Sequence, residues 1–235
     1  MKNHIDMKST LKSLVCICMF MLGGQLYAQT TAETYQKKAG NFAQAFNGVI
    51  EKGYRVGYAN TPYYPQEFQS GSFVYRGLKY TDVKMRTDSH AKSLIVLSPD
   101  GKFNLVMNPE EVSQIVIGGL PFRYFKVKEA VPGNGYYVVL YEGKDFGIYK
   151  QSYVSNINKE YKGSLLYQKF SLKERVLLLK DGKWNVLTNK NSFIKHFKEQ
   201  KEQLNAYCKE QQLNPGKKNE TNWQKLAAYC ETLTK

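Results

Sequence analysis

From residue 71 onward, large apolar side chains fall at alternate positions, and the alternation restarts after each short polar turn. Phe73 and Tyr75 share one strand face, Arg76-Gly77 makes a two-residue connection, and Leu78 and Tyr80 carry that face back. This is the period-two signature of a β-hairpin, and Gly77 supplies the positive φ such a turn needs. After Tyr80 the large residues move to odd positions, Val83 and Met85. One extra residue near Thr81-Asp82 would cause that shift, so a β-bulge is expected there. Ser93 to Leu97, Phe103 to Met107, Ile115 to Ile117, Phe122 to Val127, Tyr136 to Tyr141 and Phe146 to Val154 repeat the pattern. Between them stand turn signals such as Pro99-Asp100-Gly101, Gly118-Gly119 and Gly143-Lys-Asp145. A polar loop, Asn156 to Lys162, is expected before the last pair, Leu165 to Leu179 and Trp184 to Leu187. Turns this closely spaced favour antiparallel pairing over βαβ units.

The period changes at both ends. Tyr35, Ala39, Phe42, Ala43, Phe46 and Ile50 recur at three- and four-residue steps, predicting an amphipathic helix over Thr34 to Ile50. Phe193, Phe197, Leu204, Tyr207 and Gln211 predict a helix capped by Asn191 and ended by Asn214-Pro-Gly216. Thr221-Asn-Trp-Gln224 has the form of a capping box ahead of a second helix. Leu204-Asn-Ala-Tyr-Cys208 and Leu226-Ala-Ala-Tyr-Cys230 resemble each other, as two helices offering similar faces to one core would. The expected fold is therefore α+β: mainly an antiparallel β-meander (a curved sheet, sandwich or partly closed barrel) with an N-terminal helix and a C-terminal helical hairpin packed on the sheet. The expected division is 1–28 leader, 29–70 helix and connection, 71–190 β domain and 191–235 helical hairpin. Val96 to Val106 and Leu177 to Leu187 also align through Asp-Gly-Lys, an aromatic residue and Asn, which shared turn chemistry explains better than duplication or a repeat array, since no third copy stands at the same separation.

The first residues change the picture of where the protein works. Lysines precede the apolar run Leu14 to Leu22, and small and polar residues lead to Ala28 before Gln29, the layout of a secretory signal peptide. The run is shorter than the ~20 residues a spanning helix needs, so no transmembrane segment is expected after cleavage between Ala28 and Gln29. Of 34 basic and 20 acidic residues, 31 and 19 then remain. The mature charge is about +12. Arginine is scarce and no basic block stands out, which argues against nucleic acid. An anionic glycan, lipid or protein of the cell envelope fits the charge better.

Candidate chemistry is thin. His90 and His196 lie in separate elements, so no metal or other cofactor is expected. Asp88-Ser-His90 reads as a solvated turn, because neighbouring side chains do not converge as a triad must. Glu110-Glu111 likewise reads as a solvated turn, and no paired carboxylates suggest glycoside hydrolysis. Cys208 and Cys230 are the two cysteines left after cleavage; an oxidising compartment suggests a disulfide, while their unequal distances from the helix ends favour two buried thiols. Tyrosine is abundant, with 18 in the chain. Tyr75 and Tyr80 are candidate ligand-facing aromatics, but the favoured reading is that they are ordinary half-buried sheet residues.

The leader ending Leu-Tyr-Ala28, the hairpin Gly71 to Arg86, the turn Asp181-Gly-Lys-Trp184 and the Lys-rich terminal helices together resemble uncharacterised exported β-rich proteins of Bacteroidota. That resemblance implies a periplasmic or extracellular location and brings no activity or site. The reading that follows is a non-enzymatic exported protein that binds or scaffolds an anionic envelope partner. The alternatives are a β-barrel-like carrier of a lipid or small apolar ligand and, third, an unrecognised hydrolase.

Overall fold

The computed structural model describes residues 34–40, 43–54, 61–129, 131–216 and 218–234; Ala28 and Gln29 lie outside them. Eleven strands form one antiparallel sheet: β1 (Val49–Ile50), β2 (Tyr63–Tyr75), β3 (Leu78–Asp88), β4 (Ser93–Leu97), β5 (Asn104–Met107), β6 (Val112–Ile117), β7 (Leu120–Phe125), β8 (Gly135–Glu142), β9 (Phe146–Lys162), β10 (Leu165–Lys180) and β11 (Lys183–Leu187). Their order is β1-β5-β4-β3-β2-β6-β7-β8-β9-β10-β11, and the sheet does not close. Two meanders thus fan out from β2. One runs through β3, β4 and β5 on one side, the other from β6 to β11 on the other.

The expected opening hairpin is present. Arg76 and Gly77 both take positive φ, as a two-residue hairpin turn of the favoured twist requires. The bulge is also where the side-chain pattern put it. Gly71 pairs with Val83 and Phe73 with Tyr80, which leaves one extra residue in β3 at Thr81-Asp82, and Asp82 has φ 54°. A bulge leaves backbone groups without ladder partners. Here the Gln36 side chain fills both gaps at Thr81, donating from Nε2 to its carbonyl (2.8 Å) and accepting at Oε1 from its N–H (3.0 Å). A second shift, in β6 at Gln114 (φ 49°), faces β2 from the other side. At Gly71, between these two shifts, an added Cβ would lie 1.9 Å from the Val116 carbonyl oxygen. Only glycine lets the backbones come this close.

These bends have a topological purpose. β5 and β6 are four strand spacings apart along the sheet, about 19 Å if it were flat, while the five residue steps from Met107 to Val112 reach at most about 18 Å. The sheet between them must coil. Its inner face holds Phe73, Tyr80, Val83, Met85, Leu94, Val96, Leu105, Ile115 and Ile117, all buried.

At the other end, helices cover the inner face of β8 to β11. They are α2 (Lys190–Ile194), α3 (Lys201–Glu210) and α4 (Glu220–Leu233); α1 is the short helix 34–39. Phe193, Phe197, Leu204, Cys208, Trp223, Leu226, Ala227 and Cys230 join Phe146, Ile148, Val176, Leu178 and Leu187 in one core. Burying a side chain of this size contributes about 1.5–3 kcal/mol. The paired Leu-x-Ala-Tyr-Cys segments behave alike: their Leu and Cys residues enter the core, and Tyr207 stacks on Tyr229 with ring centroids 4.0 Å apart. On the opposite face, Tyr137, Tyr149 and Leu177 form a second apolar cluster with Phe125 and Trp184 packed on it. Burial on both faces explains the near-continuous apolar runs in β8 and β10.

Several boundaries differ from expectation. The N-terminal helix stops at Gly40 (φ 50°), and Ile50 belongs to edge strand β1. The helix expected over 191–213 is two helices, broken between 195 and 200, and its cap is Asn189, in a capping box with Ser192. α4 begins at Glu220, without a side-chain cap. Asn156 to Lys162 is not a loop but the distal half of β9, paired with β10 up to Gly163-Ser164. The two Asp-Gly-Lys segments form different turns: Asp181 and Gly182 both have positive φ in a two-residue turn, whereas Gly101 lies in a longer loop closed by Ser98 accepting from Gly101 N–H.

Candidate functional site: a lysine-rimmed bowl

Four separate pieces of chain meet beyond the ends of β8 to β11. They are the β8–β9 turn (Lys144, Asp145), the β10–β11 turn (Lys180 to Gly182), the segment Lys195 to Gln200 and the end of α4 (Leu233, Thr234). Together they enclose a bowl of about 990 Å³. Glu231 of α4 holds the first turn in place by accepting from Lys144 N–H (3.0 Å) and from the Tyr141 hydroxyl. A Cβ at residue 143 would lie 2.5 Å from Glu231 Oε2, so a larger residue there would push this carboxylate aside. Beneath the rim, Phe197 packs 5.0 Å from Phe146, and Lys180 Nζ sits 5.7 Å from the Phe197 ring centre.

The rim carries Lys144, Lys180, Lys195 and Lys198 against Asp145, Asp181 and Glu199. Lys180 pairs with Asp181 at 2.7 Å. Among the described residues, no carboxylate lies within ion-pairing reach of Lys144, Lys195 or Lys198, all exposed. His196 stands between Lys195 and the buried Phe197 with its Nε2 buried and unpartnered. Burial first, then Lys195 and Lys180, lower its pKa below the ordinary histidine value, so at neutral pH it is an uncharged group facing cations. The field extends past the bowl. Residues 143–235 contain 18 basic and 9 acidic residues, an excess of 9 out of the chain's net charge of +14. A mosaic of this kind suits an extended polyanion contacted at several points better than one small anion, whose recognition needs convergent donors.

A second hollow, a groove of about 880 Å³, runs between the start of β2 and β10. Tyr63, Tyr64, Phe170, Lys173, Glu174 and Lys218 are among its lining residues. Beside it Lys150, whose side chain is 8% exposed, donates to Glu220 of α4 (2.5 Å) and Glu174 of β10 (3.0 Å). Burial opposes the charge on Lys150, but the hydrogen bonds to Glu220, Tyr64 and Glu174 more than offset it, and its pKa is raised. This cluster ties α4 to the sheet.

Other candidates from the sequence take structural places. Tyr80 is 0% exposed, stacked on Phe73 and edge-on to Phe46, so it faces the core and not a ligand. Its even-numbered position before the bulge assigns it to the inner face. Tyr75 is half-buried and donates to Glu111 (2.9 Å), which also pairs with Arg76. Glu111 is therefore a structural link between hairpins, and Glu110 pairs with Lys126. Asp88 and Ser89 are buried, contrary to the solvated turn expected. Asp88 accepts from the His90 and Ala91 N–H groups and from the Tyr54 hydroxyl. His90 is exposed, its ring against Tyr54 and Phe170, and no triad is assembled. Cys208 and Cys230 are free, buried thiols. Among the described residues no cluster of three or more His, Cys, Asp or Glu could hold a metal ion, and no helix is long and apolar enough to cross a membrane.

The bowl escaped sequence reading because its lysines, Lys144, Lys180, Lys195 and Lys198, come from separate stretches of the chain. Lys180-Asp-Gly-Lys183 and Lys195, Lys198, Lys201 were each visible; their meeting depends on how α2 folds back from β11.

The fold and site thus define an open antiparallel sheet with a helical hairpin on one face and a cationic bowl at one end. Comparison with known protein families, with characterised proteins and with solved structures finds no match.

Proposed function

We propose that the chain is an exported protein of the bacterial envelope, of the Bacteroidota kind it resembles, and that it binds or scaffolds an anionic partner, foremost a glycan, through the lysine-rimmed bowl. It acts by binding and not by catalysis. The observation that carries this reading is the convergence of Lys144, Lys195 and Lys198, unpaired among the described residues, on one bowl that His196 also lines. The curved form of the sheet adds support. An open sheet whose inner face is filled with side chains leaves a surface to bind with, whereas a carrier needs a closed barrel around its ligand.

Polygalacturonate and neutral dextran are the probes, titrated at about 0.02 and 0.2 M salt, where screening lengths differ about threefold. The acidic polymer is expected to bind, to weaken at the higher salt and to weaken about tenfold in Lys195→Ala/Lys198→Ala, while dextran does not bind. His196 gives a second readout. A bound anion offsets the lysines that depress its pKa, so the imidazole pKa followed by NMR should rise on binding. Salt-independent binding, or binding unchanged in the double variant, would overturn the proposal.

A further inference from the structure

β8 last pairs with β9 at Gln151, and β11 first pairs with β10 at Val176. Between these points, among the described residues, Ser152 to Lys162 and Leu165 to Glu174 pair only with each other, turning at Gly163-Ser164. Eleven residues of strand make a ribbon about 35 Å long. A ribbon of two strands is marginal in water without something to pack on. Its base has such a partner, since Phe170 is buried against Tyr54 and His90. Among the described residues the distal half has none: Tyr161 is 70% and Leu165 40% exposed.

Charge decides what these side chains are for. The ribbon's two acids are already neutralised, Glu160 by Lys169 and Glu174 by Lys150. Lys159, Lys162 and Lys173 remain, with Lys162 lying over the Tyr167 ring. Lysines along open strand edges oppose pairing with a second copy, because like charges would meet. The same lysines favour an anionic headgroup layer, each contributing to attraction near such a surface. Leu165 pairs with Lys162 in the last rung and Tyr161 stands one rung back; tyrosine and leucine suit the boundary below the headgroups.

We propose that the tip of the β9–β10 ribbon inserts into the surface of an anionic lipid bilayer, with Tyr161 and Leu165 entering the headgroup–acyl boundary and Lys159 and Lys162 lying against the headgroups. This site is separate from the bowl, and the two proposals fail independently. The test uses the mature protein with phosphatidylglycerol or phosphatidylcholine vesicles in a flotation assay. Phosphatidylglycerol vesicles should retain the protein and phosphatidylcholine vesicles should not. Tyr161→Ser/Leu165→Ser should reduce retention about tenfold, and Lys195→Ala/Lys198→Ala by less than twofold. Circular dichroism checks that each variant keeps its sheet. A Ser164→Cys variant carrying an environment-sensitive dye, with Cys208 and Cys230 buried and out of reach, should shift to the blue on phosphatidylglycerol vesicles alone. Full retention of the tip variant, no binding by the parent protein, no dye shift, or a parent dimer that the tip variant converts to monomer would each overturn the proposal.

Discussion

Replacing Lys150 by methionine keeps most of the side-chain volume and removes the cation that joins α4 to β10. Glu220 Oε1 and Glu174 Oε1 lie 2.5 and 3.0 Å from Nζ, so the two oxygens are no more than about 5.5 Å apart. Without the ammonium, two carboxylates at that separation repel by about 3 kcal/mol at an effective dielectric constant of ~20. Their side chains are 29% and 36% exposed, and water relieves part of this, leaving a net loss of about 1.5–2 kcal/mol. For a domain of this size the midpoint of thermal unfolding should fall by about 3–8 °C. The expectation has an internal control. In Lys150→Met/Glu220→Gln one of the repelling charges is gone, so the double variant should recover about half of the loss, where independent effects would add. Differential scanning calorimetry of the parent, both single variants and the double variant measures this coupling. A parent-like midpoint for Lys150→Met, or a double variant less stable than either single one, would refute the assignment of this cluster as the tie between helix and sheet.

Further outcomes follow from the same geometry. Gln36→Ala strands the N–H and carbonyl of Thr81 and should cost about 1–2 kcal/mol in urea unfolding; no change in midpoint would mean water replaces the amide without penalty. Burial first, with added help from neighbouring carboxylates at some sites, raises the pKa of Tyr54, Tyr63, Tyr136, Tyr137 and Tyr149. A phenol whose folded pKa lies above its unfolded value of ~10 stabilises the fold fully below that value, and stability is lost as the unfolded chain ionises. Denaturant midpoints should therefore hold steady at neutral pH and fall above about pH 10, in step with phenolate absorbance; a midpoint flat to pH 11 would contradict this. Burial pushes the Cys230 thiol up to about 12 and the Cys208 thiol upward as well. Both should resist a thiol reagent in the native protein and count as two thiols in denaturant, and a count of zero there would reveal a disulfide.

The sheet was legible where the side-chain alternation was uninterrupted. The hairpin at Arg76-Gly77 and the bulge at Thr81-Asp82 follow from period-two counting alone, because a one-residue insertion moves every later side chain to the other face. The distal half of β9 was missed since Asn156, Asn158, Lys159 and Lys162 contact solvent on both faces, and a ribbon without a buried face leaves no hydrophobic period to count. The helix ends were misplaced for a different reason. Phe193 and Phe197 keep helical spacing across the break at 195–200, and both enter the core through separate local turns. Nor could any local pattern reveal that Gln36 completes the bulge 45 residues away, or that Lys150 finds acids on two other elements. Those are products of the folded path.

The placement of β2 between two meanders also bears on how the chain would respond to being cut. The link from β5 to β6, residues 108–111, is the single covalent passage between the halves, yet β6 is held to β2 from Gly71 to Tyr75 by strand pairing. A protease that nicks this link would leave two fragments sharing one ladder and one continuous core. They should remain together under native conditions and separate only in denaturant, and a gene split at this point should yield halves that reassemble.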